Sequence, residues 1–202
     1  MKKFLIVITG SVGTGKTSVA EALAALLKPG HEHIDISRLV RKNRRKLSSG
    51  YDRERKSVIV DLEKTKKFLR KEGFLRKGNI LESHYSHLVV AEKPDFVFVL
   101  RCEPKVLDRR LIGRKYPEKK RAENILAEIL DAASIETEQR FGRGATIEID
   151  TTGKTPAAVA GKIFSIVSGK KNALAGGRKR DFAEKYLGKG FGKSGLSFRL
   201  PP

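Results

Sequence analysis

Residues 10–17, Gly-Ser-Val-Gly-Thr-Gly-Lys-Thr, match the spacing G-x-x-x-x-G-K-[ST] in full. Glycines so placed let backbone N–H groups turn inward and cradle phosphate oxygens. Lys16 can reach the β- and γ-phosphate oxygens as a point charge, and the Thr17 hydroxyl can ligate Mg2+. Ser18 follows at the start of a helical pattern, whose N-terminal amides and dipole aim at the same phosphates. Gly13, Gly15, Lys16, Thr17 and Ser18 are therefore the expected ATP contacts. The motif implies a nucleoside triphosphate and leaves the phosphate acceptor open.

Three further constellations bear on the acceptor. Arg41 lies one helical turn into the segment after the second expected strand, residues 33–36. An arginine there can clamp a phosphate bidentately, or it can belong to a solvated basic face with Lys42, Arg44, Arg45 and Lys46. Arg110 and Arg114 stand four apart, on one face of a helical pattern running into Tyr116-Pro117. Phosphoryl transfer spreads negative charge over the transferring oxygens, and arginines closing from a lid stabilise it and exclude water. Glu82-Ser83-His84 follows an apolar run. A carboxylate there can hold Mg2+ through water, and His84 can orient a water or settle an acceptor phosphate. Neighbouring His87 competes for that role. Lys154, in Asp150-Thr-Thr-Gly-Lys, is either an adenine-side contact or part of an ordinary strand-to-helix turn.

The elements that must position these residues read as alternating strands and helices. Phe4–Ile8 is an uninterrupted apolar run closed by glycine, which suits a strand buried on both faces of a parallel sheet. A helix is expected over Lys16–Leu27, ended by Pro29-Gly30. A short strand over His33–Ile36 precedes a helix capped by Ser37. Ser48–Arg55 reads as a mobile loop, and Val58–Val60 as a strand or turn. Asp61 caps a helix through Leu69, left at Gly73. Strands are expected over Asn79–Leu81, Phe96–Leu100 and Ala145–Ile149. Helices fill Lys105–Leu111, a long Arg121–Arg140 with Ile125, Ile129, Ala132 and Ala133 inward, and Thr155–Val167 with Pro156 in its first turn. This alternation predicts an α/β fold, a parallel sheet wrapped by helices.

The chain has 202 residues, which fits one domain of residues 1–169 with an appended tail. Residues 170–202 carry nine basic residues against Asp181 and Glu184 and are punctuated by glycines, so a flexible basic tail is expected. Overall, 43 basic residues against 23 acidic ones leave a net charge of +20. Such an excess suits a polyanionic partner, RNA or a ribonucleoprotein. The single Cys102 excludes an intrachain disulfide, suits a reducing compartment and reads as a packed small residue. The apolar run after Met1-Lys2-Lys3 is too short for a signal peptide, and no segment reaches the length of a membrane span, so a cytoplasmic location is expected.

In these residues the chain resembles the adenylate-kinase-like NTPases of archaea and the eukaryotic nucleus that act in small-ribosomal-subunit maturation. The likeness runs over residues 4–167. It rests on Lys16-Thr17, Ile34-Asp35 through Arg41, Gly50-Tyr51-Asp52, Glu82-x-His84, Val99-Leu100-Arg101, and Arg110-Leu-x-x-Arg114-x-Tyr116. Lys120, Glu123-Asn124-Ile125 and Glu128 complete it. Gly-Tyr-Asp and Glu-Asn-Ile set this family apart from ordinary adenylate kinases. The family often has Asp-x-His where this chain has Glu82-Ser-His84.

The resemblance implies a P-loop NTPase three-layer sandwich of the nucleoside-monophosphate-kinase type. It places an acceptor segment near residues 35–58, with Asp35, Arg41, Tyr51, Asp52 and His84 on the acceptor nucleotide, and a lid near residues 113–123. It implies an adenylate kinase of broad nucleotide use with a slow ATPase. ATP with Mg2+ and AMP or another monophosphate would be its substrates. The universal small-subunit ribosomal protein eleven and the pre-ribosomal small subunit with its RNA would be its partners. In an alternative reading, an ATP-driven assembly factor, the kinase activity is incidental. A kinase of a hydroxyl acceptor such as a sugar or shikimate would need a dedicated carboxylate, for which the acceptor segment offers only Asp35 and Asp52.

Overall fold

A computed structural model describes residues 2–169 and 182–187. In chain order the first half forms β1 (Ile6–Thr9), α1 (Lys16–Leu26), β2 (Glu32–Asp35), α2 (Ile36–Lys42), α3 (Arg44–Leu47), β3 (Ser48–Asp52), β4 (Ser57–Val60), α4 (Leu62–Lys71) and β5 (Asn79–Glu82). The second half forms α5 (Ser86–Val89), β6 (Phe96–Arg101), α6 (Pro104–Gly113), α7 (Glu118–Ile129), α8 (Ala132–Phe141), β7 (Thr146–Asp150), α9 (Pro156–Val167) and α10 (Phe182–Leu187). The five-stranded sheet has the order β2-β5-β1-β6-β7, and every pairing is parallel.

The period of two along a strand divides the core into two layers. Ile6 and Ile8 of β1, Phe98 and Leu100 of β6, and Ile149 of β7 face α1 and α9, where Val19, Leu23, Ala160 and Ile163 meet them. Leu5, Val7, Leu81 and Val97 face the opposite way, onto Ile36, Val40, Leu47, Leu69 and Val89. Helices cover both faces, so the interior strands read as unbroken apolar runs, and the expected three-layer α/β sandwich is the fold observed. β1 lies between β5 and β6, so the loop leaving its C-terminal end opens where Glu82 and Arg101 also end their strands. Among the described residues no helix is long and apolar enough to cross a membrane.

Four local expectations are corrected. Asp35, not Ser37, caps α2: its carboxylate accepts from the Arg38 amide at 2.8 Å. Ser48–Arg55 is not a loop, because Ser48–Asp52 pairs antiparallel with Ser57–Val60. Polar residues can serve such a hairpin because its apolar contact is confined to partly buried Val58 and Val60, which pack against the second core layer. The long helix over Arg121–Arg140 is two helices, broken at Asp131, which takes the left-handed conformation (φ 56) and pairs with Arg101. The break turns Ser134 and Thr137 inward, while Ala132 and Ala133 stay half-buried.

The fourth correction concerns the tail. Phe182–Leu187 form a helix, with Phe182 buried against Ile125 and Ile129 of α7. Phe182 and Tyr186, four apart, supply an apolar stripe that composition alone concealed. The remainder of residues 170–202 lies outside the described residues.

Candidate functional site

The loop between β1 and α1 needs its glycines for different reasons. A Cβ on Gly10 (φ +131) would lie 2.3 Å from the Leu100 carbonyl oxygen, so β6 packs directly on the loop. A Cβ on Gly13 (φ +96) would meet Leu107 Cδ1 at 2.8 Å. Gly15 (φ +96) has nothing within 4 Å of that position, so its need is purely conformational. Thr14 Oγ1 donates to the Ser11 carbonyl at 2.9 Å and ties the loop to itself.

Lys16 is buried, and its Nζ donates to the carbonyls of Gly10 at 3.0 Å and Ser11 at 2.9 Å. Burial dominates its ionisation. Despite Glu82 nearby, the ammonium pKa falls from 10.5 to about 8. An added polyanion would reverse that balance, because a buried cation short of counter-charge is stabilised by any negative group brought to it.

Thr17 Oγ1 donates to Glu82 Oε1 at 2.9 Å, and His33 Nε2 stands 3.7 Å from the same oxygen. Burial works against the Glu82 charge, but His33, Lys16 and Thr17 outweigh it and hold the carboxyl below its usual range. Among the described residues no group of three His, Cys, Asp or Glu could hold a metal. The donors at hand are one hydroxyl and one ionised carboxylate, both oxygen. That set fits Mg2+, which keeps several waters and takes its remaining ligands from substrate phosphates.

These groups line one side of a cavity of about 710 Å3, a size suited to nucleotides. Gly13, Gly15, Lys16, Thr17 and Ser18 form its floor, with Glu82 and His84 beside them. Asp35, Arg41 and Tyr51 line the wall made by α2 and the β3–β4 hairpin, and Arg114 comes from the opposite wall, where α6 ends. The Arg41 guanidinium is 63% exposed and 3.8 Å from Asp35, free to swing onto a ligand. Arg44 stacks on the outer face of Tyr51, 4.8 Å from the ring centroid.

His84 opens into the cavity, where the crowding walls and Lys16 lower its pKa and leave the imidazole neutral at pH 7. His87 takes a different place. It is buried, with Nδ1 2.7 Å from Thr9 Oγ1 and Nε2 2.8 Å from Glu136 Oε2, and it braces the end of β1 from behind.

Three expected contacts stand outside the cavity lining. Asp52 is turned onto Arg55. Arg110 spans the phosphate loop and the β7–α9 turn, donating to the Thr151 carbonyl at 3.0 Å and the Gly13 carbonyl at 3.4 Å. Lys154 folds back on Asp150 at 3.0 Å. Conversely, Arg55, Ser57, Val58, Tyr85, Tyr116, Lys120, Glu123 and Asn124 line the cavity without having been singled out as ligand contacts. The available signal was slight. Asp52 precedes Arg55 by three residues, a spacing at which a carboxylate caps a turn.

The likeness of this chain to known proteins agrees with that geometry. Residues 6–131 match the family model described as an AAA domain. A protein of Methanocaldococcus jannaschii called "Putative adenylate kinase" is 38% identical, covering 90% of this chain and 94% of the relative. One of the same name from Natronomonas pharaonis is 37% identical over 85% of this chain and 94% of its own length. The chain belongs to this adenylate-kinase-like family. Among solved structures, shikimate kinase from Acinetobacter baumannii superposes with a TM-score of 0.53 at 21% identity, covering 83% of this chain and 94% of that one. At that identity the shared feature is the P-loop kinase fold. The family-model match ends at Asp131, where α7 gives way to α8 in this chain.

Proposed function

We propose that the protein transfers the γ-phosphoryl group of ATP to a nucleoside monophosphate, AMP foremost, and hydrolyses ATP slowly when no acceptor is bound. One observation carries this reading: a single cavity joins the phosphate loop to Arg41 on one wall and Arg114 on the other. Phosphoryl transfer asks little covalent chemistry of a protein. It asks for two substrates in line and for positive charge around the transferring oxygens. Lys16 and the amides of residues 13–18 hold the donor polyphosphate. Arg41 and Asp35, in an acceptor segment of residues 35–58, hold the monophosphate. Arg114, in a lid of residues 113–123, closes over the transferring group, and Arg110 holds the loop and the 151 turn in place. His84 hydrogen-bonds the acceptor phosphate or the water that replaces it. Thr17 and, through water, Glu82 would hold Mg2+, which would supply charge neutralisation at the polyphosphate.

The deciding assay is ADP formation from ATP with AMP against ATP alone. The kinase reading expects the first to exceed the second many-fold. Equal rates would leave an ATPase and remove the acceptor from the account.

Lys16 adds a pH signature. Its folded pKa, about 8, lies below its unfolded value of 10.5, so burial of its charge opposes folding at neutral pH and that penalty fades as pH rises between those values. Bound polyphosphate raises the pKa again. ATP binding at a pH of about 8.5 should therefore take up protons, and affinity should fall as pH climbs through that window. Titration calorimetry in two buffers of different ionisation heat reads the uptake directly. No uptake in the wild type would remove Lys16 from the phosphate contact.

A second reading, an ATP-driven assembly factor for the small ribosomal subunit in the cytoplasm, is supported by the net charge of +20 and by the sequence resemblance. Its partners would be the universal small-subunit protein eleven and pre-ribosomal RNA. Nucleotide-dependent co-purification of that ribosomal protein, with and without ATP, is its test.

A further inference from the structure

We propose that Arg55 is the bolt of a latch between the acceptor hairpin and the lid helix, which makes acceptor capture and lid closure a single event. The inference rests on the nucleotide-kinase reading for its consequence, though not for its geometry. Gly50-Tyr51-Asp52 and Glu123-Asn124-Ile125 are far apart in the chain, and nothing in the sequence relates one to the other. In the fold Asp52 of the first run and Glu123 of the second are joined through Arg55.

The Arg55 amide donates to Asp52 Oδ1 at 2.8 Å, and its Nη1 donates to Asp52 Oδ2 at 2.9 Å. Asp52 thereby fixes both the turn and the direction of the guanidinium. The other edge of that guanidinium makes a fork to α7: Nε to Glu123 Oε2 at 3.0 Å and Nη2 to Glu123 Oε1 at 2.8 Å. Two further links cross the same gap. Lys120 Nζ donates to the Arg55 carbonyl at 3.2 Å, and Lys119 pairs with Glu54.

The hairpin is a separate two-stranded sheet, and its turn, residues 53–56, is exposed. Its base is held by apolar packing, its tip by these ionic contacts. Arg55 and Glu123 both line the cavity, so their bond ties the hairpin to the α7 side of it. Side chains of 43% and 40% exposure form a weak, easily broken pair, which is the property a reversible closure needs. An acceptor lodged beneath the hairpin keeps the fork in register, and the closed fork keeps water from the donor phosphate.

Glu123→Gln preserves shape and removes the charge. Two readouts are combined in the full-length protein. Hydrogen exchange of backbone amides 53–57 needs no catalysis and should quicken by about threefold or more in the variant, because the tip loses its anchor. In the kinase assay the acceptor KM should rise about fivefold while kcat changes less than about twofold. Arg55→Ala and the double variant complete a cycle in which the two losses are not additive. Unchanged exchange would overturn the latch. Faster exchange with unchanged acceptor KM, or with additive losses, would overturn the coupling. A wild type that makes no ADP from ATP and AMP would sink the kinase reading instead, and with it the coupling, while exchange would still judge the latch.

Discussion

Lys16→Met is expected to abolish phosphoryl transfer while leaving the protein folded and no less stable than the wild type. The two halves of that outcome have one cause. Lys16 is buried and meets only carbonyl oxygens, those of Gly10 and Ser11, with Glu82 as the strongest opposing charge. Its lowered pKa corresponds to ~3 kcal/mol against the buried ammonium in the absence of phosphate. Methionine keeps the apolar stem and removes that penalty, at the loss of two hydrogen bonds. The same charge is worth most when a polyphosphate fills the loop, because a preorganised cation in a water-poor site needs no rearrangement as negative charge moves to the leaving oxygen. Loss of one such group costs about 100- to 1,000-fold in turnover. Thermal melting and single-turnover kinetics on one preparation separate the effects. A variant with wild-type turnover would show that the polyphosphate lies elsewhere. A variant that fails to fold would show that the ammonium holds the loop together.

The largest expected loss of stability is at Arg101→Met. Arg101 ends β6 with its side chain 2% exposed. Its Nε donates to Glu128 Oε1 at 2.8 Å and its Nη2 to the Glu128 carbonyl at 2.9 Å. Asp131 pairs with it, and Glu148 Oε1 lies 3.2 Å from Nη1. One buried cation thus serves three carboxylates from α7, the α7–α8 break and β7. Glu128 Oε1 also accepts the Cys102 amide at 2.9 Å. The ring of Phe182 covers the guanidinium at 5.2 Å, which closes the site beneath α10.

Removing one partner of a buried ion pair costs about 3–5 kcal/mol, because the remaining charge stays desolvated and uncompensated. For a domain of this size that lowers the melting temperature by about 10 °C. Urea unfolding should move to a lower midpoint with its slope preserved. Neutralising Glu128 as well, in Arg101→Met/Glu128→Gln, should recover part of the loss. If the single variant melted with the wild type, solvent would have to reach these carboxylates, contrary to their burial. Activity is expected to suffer too, since Leu100, the neighbour of Arg101, packs its carbonyl oxygen against Gly10.

Local chemistry made much of this protein legible in its sequence. The phosphate loop could be read because each residue in it answers to its own backbone or ligand. Gly15 needs a positive φ whatever surrounds it, and Lys16 and Thr17 follow it directly in the chain. The parallel sheet could be read because strands covered on both faces must be apolar at every position, as Ile6–Thr9 and Phe96–Arg101 nearly are. Asp61, Thr155 and Pro156 act within their own first turns and stand where the sequence places them.

What only the tertiary structure decided was where a side chain's partner is remote in the chain. Asp131 breaks the expected long helix where its carboxylate pairs with Arg101 of β6, and no periodicity within residues 121–140 carries that information. Polar Ser48–Asp52 becomes a strand because Ser57–Val60 returns beside it. Asp52 turns out to hold Arg55, and Arg55 to reach Glu123, across 68 residues of chain. His84 and His87 are equivalent in composition, yet one opens on the cavity and the other is sealed between Thr9 and Glu136. Charges act through space and pattern acts along the chain. The phosphate-loop motif, one continuous stretch of chain, was therefore readable in advance, and the contact from Asp52 through Arg55 to Glu123 was not.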